Sequence, residues 1–290
     1  MARSSTPHPL SPSPRRGEGG PNASSSSPLS ASRRGGQGVR FRRKLLAWWA
    51  RAARDLPWRR TRDPYRVLVS EFMLQQTQVS RVAEYYPRFI ERFPDLATLA
   101  NAKPRAVREA WDGLGYYARA SNLHALAKSV VGRRVVESGV AEKGVAGDGV
   151  ATLPDDPEEL IKLPGIGRYT AGAVACFAFE KPVPAVDTNV RRVLLRVFFG
   201  DDRQRLTRER LTRQRTTRQR LIPQRRIWDL ARALVPKDGK RAWKFNQAIM
   251  ELGALICVAR KPRCPECPVR SNCKTGRRLV RRQTPRRPDV

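Results

Sequence analysis

From Phe41 onward, apolar residues recur every three or four positions, beginning with Leu45, Leu46, Trp48, Trp49, Ala52 and Ala53. That spacing lines one face of a helix. The same reading covers Val67–Val79, Ala83–Phe93, Ala106–Leu114, Ser121–Val131, Pro157–Ile161, Thr170–Phe179, Thr188–Phe198, Ile227–Leu234 and Lys244–Ile256. Proline punctuates the joins at Pro57, Pro64, Pro94, Pro104 and Pro164. Its ring removes a backbone donor and turns the preceding residue away from helix. No stretch alternates cleanly with the period of two that a half-buried strand needs. The pattern predicts an all-α protein.

Three segments fall outside this periodicity. Residues 1–39 are rich in Ser, Pro, Gly and Arg, cannot bury apolar surface, and are expected to be a disordered basic tail. They contain no apolar run of the kind that exports a chain. Residues 139–153 read GVAEK, GVAGD, GVATL, and residues 206–225 read LTRER, LTRQR, TTRQR, LIPQR. A period of five matches neither 3.6 nor 2, so neither repeat presents a continuous apolar face. Both are read as insertions in surface loops, the second an Arg-rich one that is either simply solvated or adds non-specific phosphate contacts.

Charge narrows the partner. The chain has 58 Lys and Arg against 26 Asp and Glu, a formal charge of +32. Residues 1–39, 201–226 and 274–290 carry +4, +7 and +6, which leaves +15 on the remainder. A body this basic calls for a polyanion, nucleic acid first. No run reaches the roughly 20 apolar residues of a spanning helix, so no membrane role is expected. Four of the five cysteines crowd between 257 and 273, which suits a metal site in a reducing compartment better than a disulfide framework. A cytoplasmic location, of the bacterial nucleoid-associated kind, is the expectation.

Two motifs carry chemistry. Cys257-x6-Cys264-x2-Cys267-x5-Cys273 can surround one metal centre with short loops. Zinc is the alternative, although zinc ribbons usually place a longer loop between two knuckles. Cys176 stands alone in an apolar run and reads as a core residue. Leu163-Pro164-Gly165-Ile166-Gly167-Arg168-Tyr169 joins two helical segments by a tight hairpin. Its backbone N–H groups at a helix start, with no side chain at Gly165 or Gly167, suit a phosphate or a bound cation that bridges to one.

Taken together, LPWR (56–59), SEFMLQQTQV (70–79), GLGYYARA (113–120), LPGIGRYTAGAV (163–174), VDTNVRRVL (186–194) and the four cysteines resemble the helix–hairpin–helix glycosylase superfamily, and most nearly the MutY-type adenine glycosylases of base excision repair. The resemblance covers about residues 41–200 and 227–275. It implies a two-domain fold that grips double-stranded DNA in a cleft. Residues 65–186 would form a six-helix domain with the hairpin. Residues 40–64 and 187–275 would form the second, holding a 4Fe–4S cluster on Cys257, Cys264, Cys267 and Cys273, and a basic tail would follow from 276. Glu71 and Asp187 match the two catalytic carboxylates. Tyr169 stands where bifunctional relatives of the endonuclease III kind carry the lysine that forms a Schiff base, so strand cleavage is not expected. Gln75, Gln76 and Tyr116 match residues that wedge into the stack or contact the orphan base. Trp58, Arg59 and Glu251 would line the adenine pocket, with Gly165, Gly167 and Arg168 on the DNA. A monomer is expected.

The sequence departs from the family in two places. Thr188 follows Asp187 where MutY proteins more often have glycine, and only seventeen residues follow Cys273, too few for the C-terminal domain with which many of them recognise 8-oxoguanine. Two alternatives stand beside adenine excision: a thymine or uracil mismatch glycosylase of the same superfamily, and a non-catalytic, cluster-bearing DNA-binding protein.

Overall fold

The computed structural model describes residues 32–137, 152–200 and 222–283, and all regular structure among them is helical. Residues 1–31, 138–151, 201–221 and 284–290, and with them most of both pentapeptide repeats, lie outside the described residues. The first helix is α1 (Ser32–Ala52), followed by a 3-10 turn at Pro57–Arg59. Next come α2 (Pro64–Leu74), α3 (Val79–Arg92), α4 (Leu96–Asn101), α5 (Pro104–Ala110), α6 (Ala118–Glu137), α7 (Pro157–Leu160) and α8 (Arg168–Phe177). α9 (Thr188–Leu194) runs into a π-helical turn, Leu195–Phe199, that stops at Gly200. α10 (Gln224–Leu234), α11 (Gly239–Leu255), a 3-10 turn at Arg270–Asn272 and α12 (Lys274–Gln283) complete the described chain.

Aspartates set many of the helix starts. The side chains of Asp63, Asp95, Asp156, Asp187 and Asp238 accept the N–H of Arg66, Thr98, Glu158, Val190 and Arg241, satisfying donors that a helix start leaves unpaired. α2 is the central element. Tyr65 and every residue from Val67 to Met73 are buried, as expected of a helix enclosed on all sides. It packs on α3, α6 and α8, while α4 and α5 close on α6 and α7 closes on α8. A second group forms around α11, which receives α1 and α9; α10 lies on α9 and α1, and α12 on the π-helical turn. α8 contacts α11 across the two groups. There Asn246 accepts the N–H of Ala185 and donates to the carbonyl of Val183. One apolar core runs through both groups.

The structure corrects the sequence reading at its edges. Residues 32–39, expected in the disordered tail, are the first turns of α1. Gln37 donates to the Asn272 carbonyl at 2.8 Å and Gly38 is buried, so tertiary contact supplies what the composition lacks. Residues 276–283, expected in the basic tail, belong to α12. α4 was not among the expected helices: it is six residues long and lacks the proline start that marks the still shorter α7. The ends of the repeats are not in surface loops: Leu153 is buried and Ile222 packs on the core. Among the described residues no helix is long and apolar enough to cross a membrane.

Candidate active site

A cleft of about 750 Å³ opens between α2, the Pro57–Arg59 turn, the start of α9 and α11, a size suited to a nucleoside-sized ligand. Glu71, Asp187 and Tyr169 all line it. Glu71 is 3 % exposed because it sits on the enclosed helix α2. Burial pushes its carboxyl up to about 7; the Tyr169 hydroxyl, donating to Oε2 at 2.7 Å, and Arg59 oppose that shift, while nearby Asp187 adds to it. Burial, reinforced by the same two carboxylates, holds the Tyr169 hydroxyl well above its ordinary range. Asp187 caps α9, accepting the Val190 N–H at 2.6 Å and the Asn189 amide at 2.9 Å. Burial raises its pKa, and those donors work against the rise. Asp187 thus caps α9 and lines the cleft from one position.

The opposite wall holds a charged knot. Glu251 is 1 % exposed. It accepts Arg54 Nε at 2.7 Å and Arg59 at 2.8 Å. Against the upward push of burial, the two guanidinium groups hold its carboxyl at about 2. Arg59 also donates to Gln247 Oε1 at 2.8 Å. Trp58 is buried, edge-on to Tyr86, and lines the cleft. Arg54 and Gln247 were not singled out from sequence. Gln247 stands four residues before Glu251, hence on the same helix face, and that spacing was the available signal.

Gln75 and Gln76 line the cleft mouth where α2 ends. Gln76 has φ +59° and Tyr116 φ +48°, conformations that cost side-chain-bearing residues and cluster at functional sites. Tyr116 is 63 % exposed and stands outside the cleft lining, on the neighbouring loop. The hairpin is formed as expected: Gly165 has φ +76°, and Gly167 precedes α8 with open space above its Cα. Arg168 lies 3.9 Å above the Trp228 ring, so its guanidinium face is stacked within the molecule. Arg119, which the sequence did not single out, lies buried between the end of α2 with its following loop and the 113–116 loop.

The four cysteines line one pocket together with Arg196 and Arg270. Among the described residues no group of three or more His, Cys, Asp or Glu forms a site for a single metal ion. Donors do face sulfur: Gly276 N–H reaches Cys273 Sγ at 3.2 Å and Arg196 reaches Cys257 Sγ at 3.5 Å. Cys176 is buried away from this loop, its sulfur 3.2 Å from the Asn246 amide. Arg192 donates to the carbonyls of Cys257 and Gly253 and to Asn189 Oδ1, each at 2.7 Å. The cysteine loop is therefore hydrogen-bonded, through Arg192 and Asn189, to Asp187.

Comparison with known proteins identifies the family. The model of the HhH-GPD superfamily base excision DNA repair proteins matches residues 69–217, and the chain belongs to that family. Among its relatives, the adenine DNA glycosylase of Mycolicibacterium smegmatis is 43 % identical over 233 residues, covering 80 % of this chain and 68 % of its own length. The adenine DNA glycosylase of Mus musculus is 41 % identical over 263 residues, covering 86 % and 45 %. The chain thus spans about half to two thirds of the length of these relatives. In three dimensions it is similar to a thermostable thymine-DNA glycosylase, with TM-score 0.67 and 28 % identity over 84 % of this chain and 98 % of that one. An endonuclease III trapped covalently on DNA, at 22 % identity and the same coverage, shares the fold with TM-score 0.63.

Proposed function

We propose that this chain is a monofunctional DNA glycosylase that hydrolyses the N-glycosidic bond of adenine mispaired with 8-oxoguanine or guanine in double-stranded DNA. The observation that carries the reading is a buried carboxyl, hydrogen-bonded by a tyrosine, that shares a nucleoside-sized cleft with a second, helix-capping carboxylate. The two-domain division, with residues 65–186 facing residues 40–64 and 187–275 across the cleft, belongs to the same proposal.

The chemistry needs both carboxylates. Glu71 in its protonated form gives its proton to N7 of an extruded adenine, so the C1′–N9 bond breaks with its electron pair on a now neutral base. Asp187, whose ionised form the Val190 and Asn189 donors favour against burial, faces the positive charge left on the sugar. Water adds its oxygen to C1′ and gives a proton back to a carboxylate, leaving an abasic site. Tyr169 holds Glu71 in place and has no amine with which to cleave the strand. Trp58, Arg59, Gln247 and Glu251 bound the base pocket, and Gln75, Gln76, Tyr116 and the Gly165–Gly167 hairpin contact DNA. The cysteine pocket fits a 4Fe–4S cluster: four sulfur donors enclose one space, and N–H groups point at two of them as thiolates require. Such a cluster would bring charge and rigidity to the loop.

Single-turnover excision on duplexes holding A opposite 8-oxoguanine, A opposite G, and T or U opposite G tests the reading. Adenine loss, with breaks only after alkali, is expected. Glu71→Gln and Asp187→Asn each lower it a hundredfold or more, on the order expected for lost acid catalysis or charge stabilisation, with DNA binding kept. Loss of T or U assigns the mismatch-thymine chemistry; binding without excision assigns a non-catalytic DNA-binding protein. Strand breaks without alkali overturn the role of Tyr169.

A further inference from the structure

We infer that Arg119 is a positioning residue that ties the two loops bearing Gln76 and Tyr116 into one unit, so that they enter the DNA together. The inference rests on the glycosylase reading and adds a residue to it. Arg119 is 7 % exposed, on the first turn of α6. One terminal nitrogen donates to the Phe72 and Met73 carbonyls at 2.9 and 2.8 Å, at the end of α2. The other donates to Thr77 Oγ1 at 3.1 Å and to the Leu114 and Gly115 carbonyls at 3.0 Å each. The guanidinium carbon is 5.5 Å from the Trp111 ring centroid and 5.6 Å from that of Tyr116. A buried cation is met here by four carbonyls and a hydroxyl drawn from the end of α2 and the two loops.

What those loops hold makes the tie functional. Each carries a residue in the left-handed region that side chains avoid, Gln76 on one and Tyr116 on the other, with Gly113 and Gly115 also left-handed. Strain of this kind persists only when its surroundings over-determine it. The planar fork of arginine can serve both loops at once, whereas lysine offers one point of charge. With the tie cut, the loops move independently and the energy of one no longer supports the other. Extrusion of the base should suffer, while the chemistry at Glu71 and Asp187 stays intact once a base is in the cleft.

Arg119→Lys and the milder Thr77→Val, which removes one shared partner, test this in the full-length protein. The first measurement is amide exchange on the free protein, which does not depend on any activity. Faster exchange in both 74–77 and 113–117, with 163–168 unchanged, is expected for each variant. Loosening of one loop alone, or of neither, overturns the tie. If Arg119→Lys does not fold, Thr77→Val alone decides by the same criterion. The second measurement places 2-aminopurine at the target position and follows its fluorescence on binding, beside excision of adenine opposite 8-oxoguanine and opposite an abasic gap. Arg119→Lys should slow extrusion roughly tenfold or more, the scale of losing one charge-assisted hydrogen bond, and the defect should shrink opposite the gap, where extrusion costs less. An equal defect on both substrates overturns the positioning role. A wild-type protein that extrudes the base without excising anything rejects the glycosylase reading and leaves the tie standing.

Discussion

A carboxylic acid that donates a proton near neutral pH has to be kept from water, and Glu71 meets that condition by its place on α2. Burial raises it from 4.5 to about 7, so the donating form is present below that pH and lost above it. Asp187, itself raised by burial, acts as the ionised form and is lost on the acid side. Excision should therefore follow a bell in pH with its alkaline limb near 7, measured as single-turnover rate against pH; a rate that keeps rising to pH 9 removes Glu71 as the acid. The same shift has a stability sign. Between 4.5 and 7 the folded state holds more protons than the unfolded chain, so stability falls as pH rises through that window and is level above it. The cost at pH 8 is on the order of 3 kcal/mol, and Glu71→Gln removes it: the unfolding temperature of that variant should exceed the parent's at pH 8 and match it near pH 4. Equal temperatures at both pH values contradict a buried ionising group. Glu251 behaves oppositely. Its carboxyl is held at about 2, so its contribution is present above 4.5 and lost as pH falls toward 2. Glu251→Gln leaves Arg54 and Arg59 without their shared charge and should cost on the order of 3 kcal/mol in urea unfolding; a change under 1 kcal/mol would show that the knot adds no stability.

Among the elements, the hairpin before α8 separates geometry from recognition. A Cβ at Gly165 would stand 2.7 Å from the Asn122 Cβ, on a backbone at φ +76°. At Gly167 it would meet nothing within 4 Å. Gly165→Ala is expected to destabilise by about 1–3 kcal/mol and to weaken DNA binding. Gly167→Ala should cost about 1 kcal/mol or less, yet also weaken binding by placing a methyl where a phosphate approaches. Calorimetry and duplex titration of the pair distinguish them; unaltered binding by Gly167→Ala takes the hairpin off the DNA. Most helices were legible in the chain because their apolar faces are long enough to show a period. The short α4 was not, nor were residues 32–39 and 276–283, whose helices depend on partners distant in sequence. Within the site, the cysteines and the hairpin were readable from spacing alone. Glu71, Asp187 and Tyr169 were readable only from their place among the family's motifs. Arg119, Arg54 and Asn189 carried no pattern, because each acts by reaching backbone or side chains that only folding brings near.

At the scale of the whole molecule, the two ends of the described chain close on the cysteine loop. Gln37 and Lys44 of α1 reach Asn272 and Ser271. Arg196 of the π-helical turn donates to the carbonyls of Val258 and Ala259, and α12 begins one residue after Cys273. Burial holds the Cys267 and Cys273 thiols up at about 12 and about 11, so bare sulfhydryls there stay protonated and pair poorly with the N–H groups facing them. A metal that binds thiolate reverses that preference and adds its binding energy to folding. The purified protein is accordingly expected to be brown, with about four iron and four sulfide per chain. Stripping the iron should raise amide exchange in residues 36–44, 195–199 and 257–278 together, while α2 to α8 keep their protection, since their core is built without the loop. Zinc at one per chain replaces the cluster with a structural ion. Iron loss that unfolds α2 to α8 as fast as the loop would mean that the two helix groups fold as one cooperative unit, with the apolar seam at Asn246 and α8 as the coupling.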